Sequence, residues 1–160
     1  MQSLVSPCYC GNEQDFGSCC EPLLSGKQVA KSAEALMRSR FCAYRLQNYE
    51  YVLATYAQAQ QKHLNIHDIA QGAADTAWLR LVVVKTQQKQ TTAKVEFRAY
   101  YQVETQYYLM HETSDFIQQD QKWYYTSGIM HQDSGPYMQQ RNDVCLCGSG
   151  KKFKKCCSGL

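Results

Sequence analysis

The chain has 160 residues, 44% of them hydrophobic and 19% charged, which suits one folded domain with small appendages and excludes a disordered chain of low hydrophobicity. Its formal charge is +3 with every thiol counted neutral. No stretch approaches the ~20 apolar residues of a membrane span, and Met1 to Pro7 lack the basic start and apolar run of an export signal, so a cytoplasmic location is expected.

The first feature along the chain is Cys8-Tyr9-Cys10-Gly11, followed by Phe16 and the pair Cys19-Cys20. The same thirteen-residue pattern returns as Cys145-Leu146-Cys147-Gly148, Phe153 and Cys156-Cys157. A connector holding Pro22, Ser25 and Gly26 follows the first copy. Ser32 then reads as an N-cap with Glu34 in the first turn, ahead of Ala33, Leu36, Met37, Phe41 and Tyr44 at helical spacing. Asn48 reads as a second N-cap before Val52, Leu53 and Tyr56, and Asn65 as the start of a short helix ending near Gly72.

Beyond residue 78 the period changes. Trp78 to Lys85 is β-branched and apolar, and Thr86–Gln90 reads as a turn. Lys94 to Val103 alternates, with Val95, Phe97, Ala99, Tyr101 and Val103 on one face and Lys94, Glu96, Arg98, Tyr100 and Gln102 on the other. Tyr107 to Gln118 and Lys122 to Ser127 complete an antiparallel meander closed by Gly128. Helices first and strands afterwards predict an α+β fold, with helices packed on one face of a curved antiparallel sheet. Gaps between the strands are too short for the helices a parallel sheet needs. The expected organisation is an N-terminal knuckle over 1–26, an α+β domain over 27–128, a tether over 129–144 and a C-terminal knuckle over 145–160.

Four thiols in so short a span suit a tetrahedral metal site, with sulfurs about 2.3 Å from the ion. Cys8, Cys10, Cys19 and Cys20 form one predicted ligand set, and Cys145, Cys147, Cys156 and Cys157 the other. Gly11 and Gly148 follow the C-x-C turn, where positive φ lets backbone amides face the sulfurs. A segment this small has no core of its own, so metal binding, worth roughly 10–16 kcal/mol, supplies its folding free energy. Zinc is the expected ion, two per chain, with iron as the alternative that ligand type alone does not separate. Disulfides are the competing use of these cysteines. Reduced cytosolic thiols and the poor geometry of a bond between adjacent Cys19 and Cys20 speak against them. Four protein ligands leave no open position for catalysis. Two such sites of charge −2 each bring the formal total from +3 to −1, so the sequence pI of 8.3 does not argue for nucleic-acid binding by the whole molecule.

The C-terminal unit resembles the SEC-C motif, the zinc knuckle at the end of the secretory ATPase SecA. The N-terminal copy keeps the cysteines, Gly11 and Phe16 but replaces the lysines by Glu13, Gln14 and Asp15. A unit at each end is similar to the YchJ family of bacterial proteins of uncertain function. So are Ala33-Glu34-Ala35-Leu36-Met37-Arg38-Ser39-Arg40, Val95-Glu96-Phe97-Arg98-Ala99, His111-Glu112 and Trp123-Tyr124-Tyr125. The resemblance implies a middle domain of the cone-shaped, nuclear-transport-factor-2-like fold. Through SecA's tail, which contacts the chaperone SecB and the ribosome, it also implies a setting in export or translation.

Lys151, Lys152, Lys154 and Lys155 around Phe153 have two readings. They are a contact patch for a protein, a ribosome-associated partner or nucleic-acid phosphate, or charge compensation for the metal site. Arg98, His111, Glu112 and Asp115 are the best polar group for a central pocket, against the plainer reading of ion pairs that satisfy one another. His63 and His67 are read as solvated surface, Cys42 as a small buried hydrophobe, and Trp78, Trp123, Tyr100, Tyr101 and Tyr124 as core and sheet-face residues. The leading expectation is a non-catalytic zinc-binding adaptor acting through its knuckles. The alternative is a small-ligand binder or enzyme working from the central cavity. The oligomeric state is left open.

Overall fold

The computed structural model describes residues 6–159; the expectation about an export signal in Met1 to Pro7 falls mostly outside them. The elements run α1 (Glu21–Leu24), α2 (Ala33–Arg45), α3 (Tyr49–Ala54), α4 (Gln58–Gln61) and α5 (Ile66–Ala73), then β1 (Thr76–Gln88), β2 (Thr92–Val103), β3 (Gln106–Gln119), β4 (Lys122–Met130) and β5 (Gly135–Pro136). All three expected N-caps form: Ser32, Asn48 and Asn65 accept from the amides of Ala35, Tyr51 and Asp68. The one-turn helices α1 and α4 carry too few residues for a readable period.

The sheet is antiparallel in the order β1-β2-β3-β4, with β5 added to β3. Register shifts at Trp78/Arg80, Val83/Lys85 and Asp115/Phe116 insert extra residues, and such bulges bend and twist the strands. The α+β class is therefore realised as helices on a curved antiparallel sheet. Ala33, Leu36, Met37 and Phe41 of α2 bury against Leu81, Val95, Phe97, Ala99, Phe116 and Trp123. Each fully buried apolar side chain of this size is worth about 1.5–3 kcal/mol, so this seam holds helix to sheet.

Two strands run further than expected. β1 continues through the polar residues to Gln88, in register with Ala93. β4 continues to Met130, and Gly128 lies inside it opposite Ser114 rather than closing the meander. The reason is local: a Cβ at Gly128 would fall inside the Glu112 carboxylate. Of the segment 129–144, read as a tether, residues 129–130 belong to β4 and 131–137 are held along the sheet: His131 N donates to His111 O, β5 pairs with Tyr108 and Leu109, and Tyr137 N donates to Tyr107 O. Among the described residues no helix is long and apolar enough to cross a membrane.

Candidate metal centres

Each cysteine unit begins with a short antiparallel bridge, Pro7 to Asp15 at one end and Val144 to Lys152 at the other. Inside it Cys8 N donates to Gln14 O at 2.9 Å, and Cys145 N to Lys151 O at 2.8 Å. The turn closes with Gly11 N on Cys8 O and Gly148 N on Cys145 O. These two glycines have φ of 88° and 87°, as the positive-φ expectation required. A single 3-10 turn, Phe16–Ser18 or Phe153–Lys155, then delivers the C-C pair. The two ends of the chain thus build one structure twice.

The sulfurs converge. In each unit one ligand atom from every cysteine lies within 4.8 Å of the others. Cys10 and Cys19 Sγ are 3.7 Å apart and Cys19 and Cys20 Sγ 3.9 Å. In the second unit Cys147 and Cys156 are 3.4 Å apart and Cys156 and Cys157 3.9 Å. Sulfurs held tetrahedrally about 2.3 Å from an ion sit roughly 3.8 Å from one another, so the donor set fits a metal. All nine cysteines are free, which sets the disulfide alternative aside. One sulfur in each cage also has a polar neighbour from the residue after the glycine: Asn12 Nδ2 donates to Cys19 Sγ at 3.6 Å, and Ser149 Oγ lies 3.2 Å from Cys156 Sγ.

Charge is shared unevenly among the thiols. Hydrogen bonds from Cys20 and Cys42 hold Cys10 far below the ordinary thiol range, while burial pushes Cys19 up to about 11. In the second cage Ser149 holds Cys147 down at about 6, and the hydrogen bond with Cys145 pushes Cys157 up to about 12. Cys10 and Cys147 are thus shifted toward the thiolate, and Cys19 and Cys157 toward the thiol. A divalent ion on four thiolates must therefore displace protons as it binds.

The cages differ in what surrounds them. Cys8, Cys10 and Cys20 belong to the main core, and Arg38 Nη1 donates to Cys10 O at 2.7 Å. Cys42 of α2 is buried as expected, but its Sγ lies 3.8 Å from Cys8 Sγ, so it is a fifth thiol against the cage and not simply packing. The C-terminal cage is peripheral: Cys147 is exposed, and Gln139 Oε1 anchors the unit by accepting from Leu146 N. Lys151, Lys152 and Lys155 are exposed, with Lys154 and Phe153 half-buried. No carboxylate pairs with these lysines among the described residues. Both cages border one groove, floored by Leu79 to Val83 of β1 and lined by Arg38, Arg45 and Arg80.

The four expected pocket residues do not come together. His111 and Glu112 are adjacent on β3 and so point to opposite faces. Glu112 lines a cavity of about 420 Å³ between the helices and the sheet, and Arg98, His111 and Asp115 do not. Asp115 pairs with Lys94 at 2.6 Å. His111 is buried on the other face, between Glu96 at 2.8 Å and Asp133 at 2.7 Å, with Arg98 3.9 Å from Asp133. Its ring stacks on His131 at 3.9 Å, and Glu96, His111 and His131 form a third group of metal-capable side chains. Both His111 nitrogens are already engaged by carboxylates, so the cluster is a satisfied hydrogen-bonded network. His63 and His67 are exposed.

Arg40 is the cavity residue that pattern reading missed. Its signal was present: it stands between Leu36 and Tyr44 at four-residue spacing, in the apolar stripe of α2.

The model of the YchJ middle, nuclear-transport-factor-2-like domain matches residues 32–128, and that of the SEC-C motif matches residues 141–159. A UPF0225 protein of Vibrio cholerae is 39% identical over 152 residues, covering 94% of this chain and 98% of its own length. One from Actinobacillus succinogenes is 40% identical over 156 residues, covering 96% and 97%. Among solved structures, a SEC-C motif protein of Rhodopseudomonas palustris aligns with a TM-score of 0.75 at 30% identity, over 78% of this chain and 98% of its own. A SEC-C motif protein of Psychrobacter arcticus aligns with a TM-score of 0.68 at 29% identity, over 98% and 97%.

Proposed function

The chain belongs to the YchJ family of SEC-C proteins, and from that premise we propose that it is a non-catalytic, zinc-binding accessory protein of the cytoplasm that contacts another macromolecule through its knuckles. The observation that carries the reading is the pair of four-thiol cages whose sulfurs all lie within 4.8 Å of one another. All-thiolate donors favour zinc over hard cations. A closed four-ligand site shapes a surface and leaves no position for substrate.

The surface so shaped at the C-terminus is the run Lys151 to Lys155, without acidic partners of its own among the described residues. It suits an acidic partner in the export or translation machinery. At the N-terminus Gln14, Asp15, Gly17 and Ser18 occupy the equivalent slots, with Glu13 beside them, so the two knuckles present opposite charge to their surroundings. Elemental analysis of protein from its native source is expected to give two zinc ions per chain; an iron stoichiometry would replace zinc in this reading. Reversing Lys151, Lys152, Lys154 and Lys155 to Glu with all cysteines kept is expected to abolish partner capture, and unchanged capture overturns the contact role. A steep loss of affinity with salt would instead identify the partner as nucleic acid.

A further inference from the structure

We propose that the cavity between α2, α5 and the inner face of the sheet is a binding site for a small amphipathic carboxylate, with Arg40 receiving the anionic head. This site is separate from the knuckles and does not depend on their role. At about 420 Å³ the cavity lies in the size range of small-molecule sites, roughly 300–1,000 Å³. By liquid volume it would hold roughly fourteen waters, far more space than an ion needs. Its walls are mostly apolar, with Met37, Phe41, Leu64, Ile69, Phe97 and Met110 among them. An apolar body is therefore what fills it.

Two charged groups in this lining, Arg40 and Glu112, remain incompletely satisfied. Arg40 is only 4% exposed, yet no carboxylate lies within salt-bridge reach of it among the described residues. Its Nη1 donates to Val52 O at 2.9 Å and Thr55 Oγ1 at 2.6 Å. The guanidinium sits over the rings of Tyr56 and Tyr125, at 4.6 and 4.7 Å. Nε and Nη2 have no protein acceptor among the described residues. The side chain of Trp78 lines the same space, and its Nε1 is buried without a hydrogen-bond partner among the described residues. The guanidinium is a donor only, so the complementary ligand atom is an acceptor.

A buried cation without a counter-ion is costly, and the charge that would offset it is negative. A carboxylate is planar and matches the guanidinium fork. On the same lining Glu112 Oε1 accepts from Ser114 Oγ at 2.7 Å and from the OH of Tyr125, the ring beneath Arg40, at 2.9 Å. Its Oε2 has no protein donor among the described residues and can take an N–H or O–H on the ligand body. The apolar walls and the unpaired guanidinium select the same class of molecule.

The chain contains two tryptophans, and only Trp78 lines the cavity, so Trp123 serves as an internal control. The probes are 3-phenylpropionate and its uncharged amide, followed through the two indole N–H resonances of metal-loaded protein. The acid is expected to shift the Trp78 resonance saturably, leave Trp123 unmoved, and bind at least about tenfold more tightly than the amide. Ala73→Phe, which fills the cavity from the α5 side and leaves every polar group in place, is expected to abolish the shift. An unmoved Trp78 resonance at up to about 10 mM acid, equal affinity for acid and amide, or wild-type binding by Ala73→Phe overturns the proposal.

Discussion

At the scale of single residues, the molecule relies on groups whose neighbours fix their state. Ser149 holds the exposed Cys147 thiol down at about 6. The thiolate, not the thiol, is the nucleophile. A bound ion occupies this sulfur, so Cys147 is expected to resist iodoacetamide at pH 7 in metal-loaded protein and to be alkylated once a chelator removes the metal. Mass-spectrometric mapping of the label with and without chelator checks this. Gly128 is a second such residue. Ala there would drive a methyl group into the Glu112 carboxylate, which accepts from Ser114 and Tyr125. Gly128→Ala is expected to cost about 1–3 kcal/mol in urea denaturation.

At the scale of elements, hydrogen bonds between strands and loop carry a pH signature. His111 of β3 bonds Glu96 of β2 and Asp133 of the segment beyond β4, and this holds both carboxyls below their ordinary range. A depressed carboxyl stabilises the fold above its unfolded value, and that contribution is lost as pH falls through the depressed folded value. The stability difference between wild type and His111→Gln is thus expected to be full at neutral pH and to shrink below about pH 4. Thermal melts across pH 7 to 3 measure it. The same elements show what the chain reveals unaided. The caps Ser32, Asn48 and Asn65 were readable because a side-chain acceptor before a helical period has one common use. The inner face of β2 was readable because Val95, Phe97 and Ala99 alternate with polar neighbours. The cages were readable because eight thiols repeat one spacing. The lining of the expected cavity was legible only in part: Glu112 is in it, but grouping it with His111 overlooked that successive strand residues face apart. Arg40 hides within an apolar stripe, and Cys42 meets Cys8 only through the tertiary fold.

At the scale of the whole molecule, the two cages have unequal duties. Cys8, Cys10 and Cys20 are part of the core beneath α2, whereas Cys147, Cys156 and Cys157 keep contact with solvent. Loss of metal from the first should loosen the domain, and loss from the second should loosen only the C-terminal end. Cys8→Ser with Cys10→Ser is expected to lower the melting midpoint by more than about 5 °C, and Cys145→Ser with Cys147→Ser by less than about 2 °C. Equal shifts would show that neither cage is privileged. Strand β1, thirteen residues long, is the outermost of its sheet, and both knuckles flank its Leu79–Val83 stretch. An uncovered strand margin invites a second chain to pair with it and seeds aggregation. The two ends of the polypeptide thus act as chocks against sheet-to-sheet growth, and a molecule shorn of either would polymerise more readily than the intact chain.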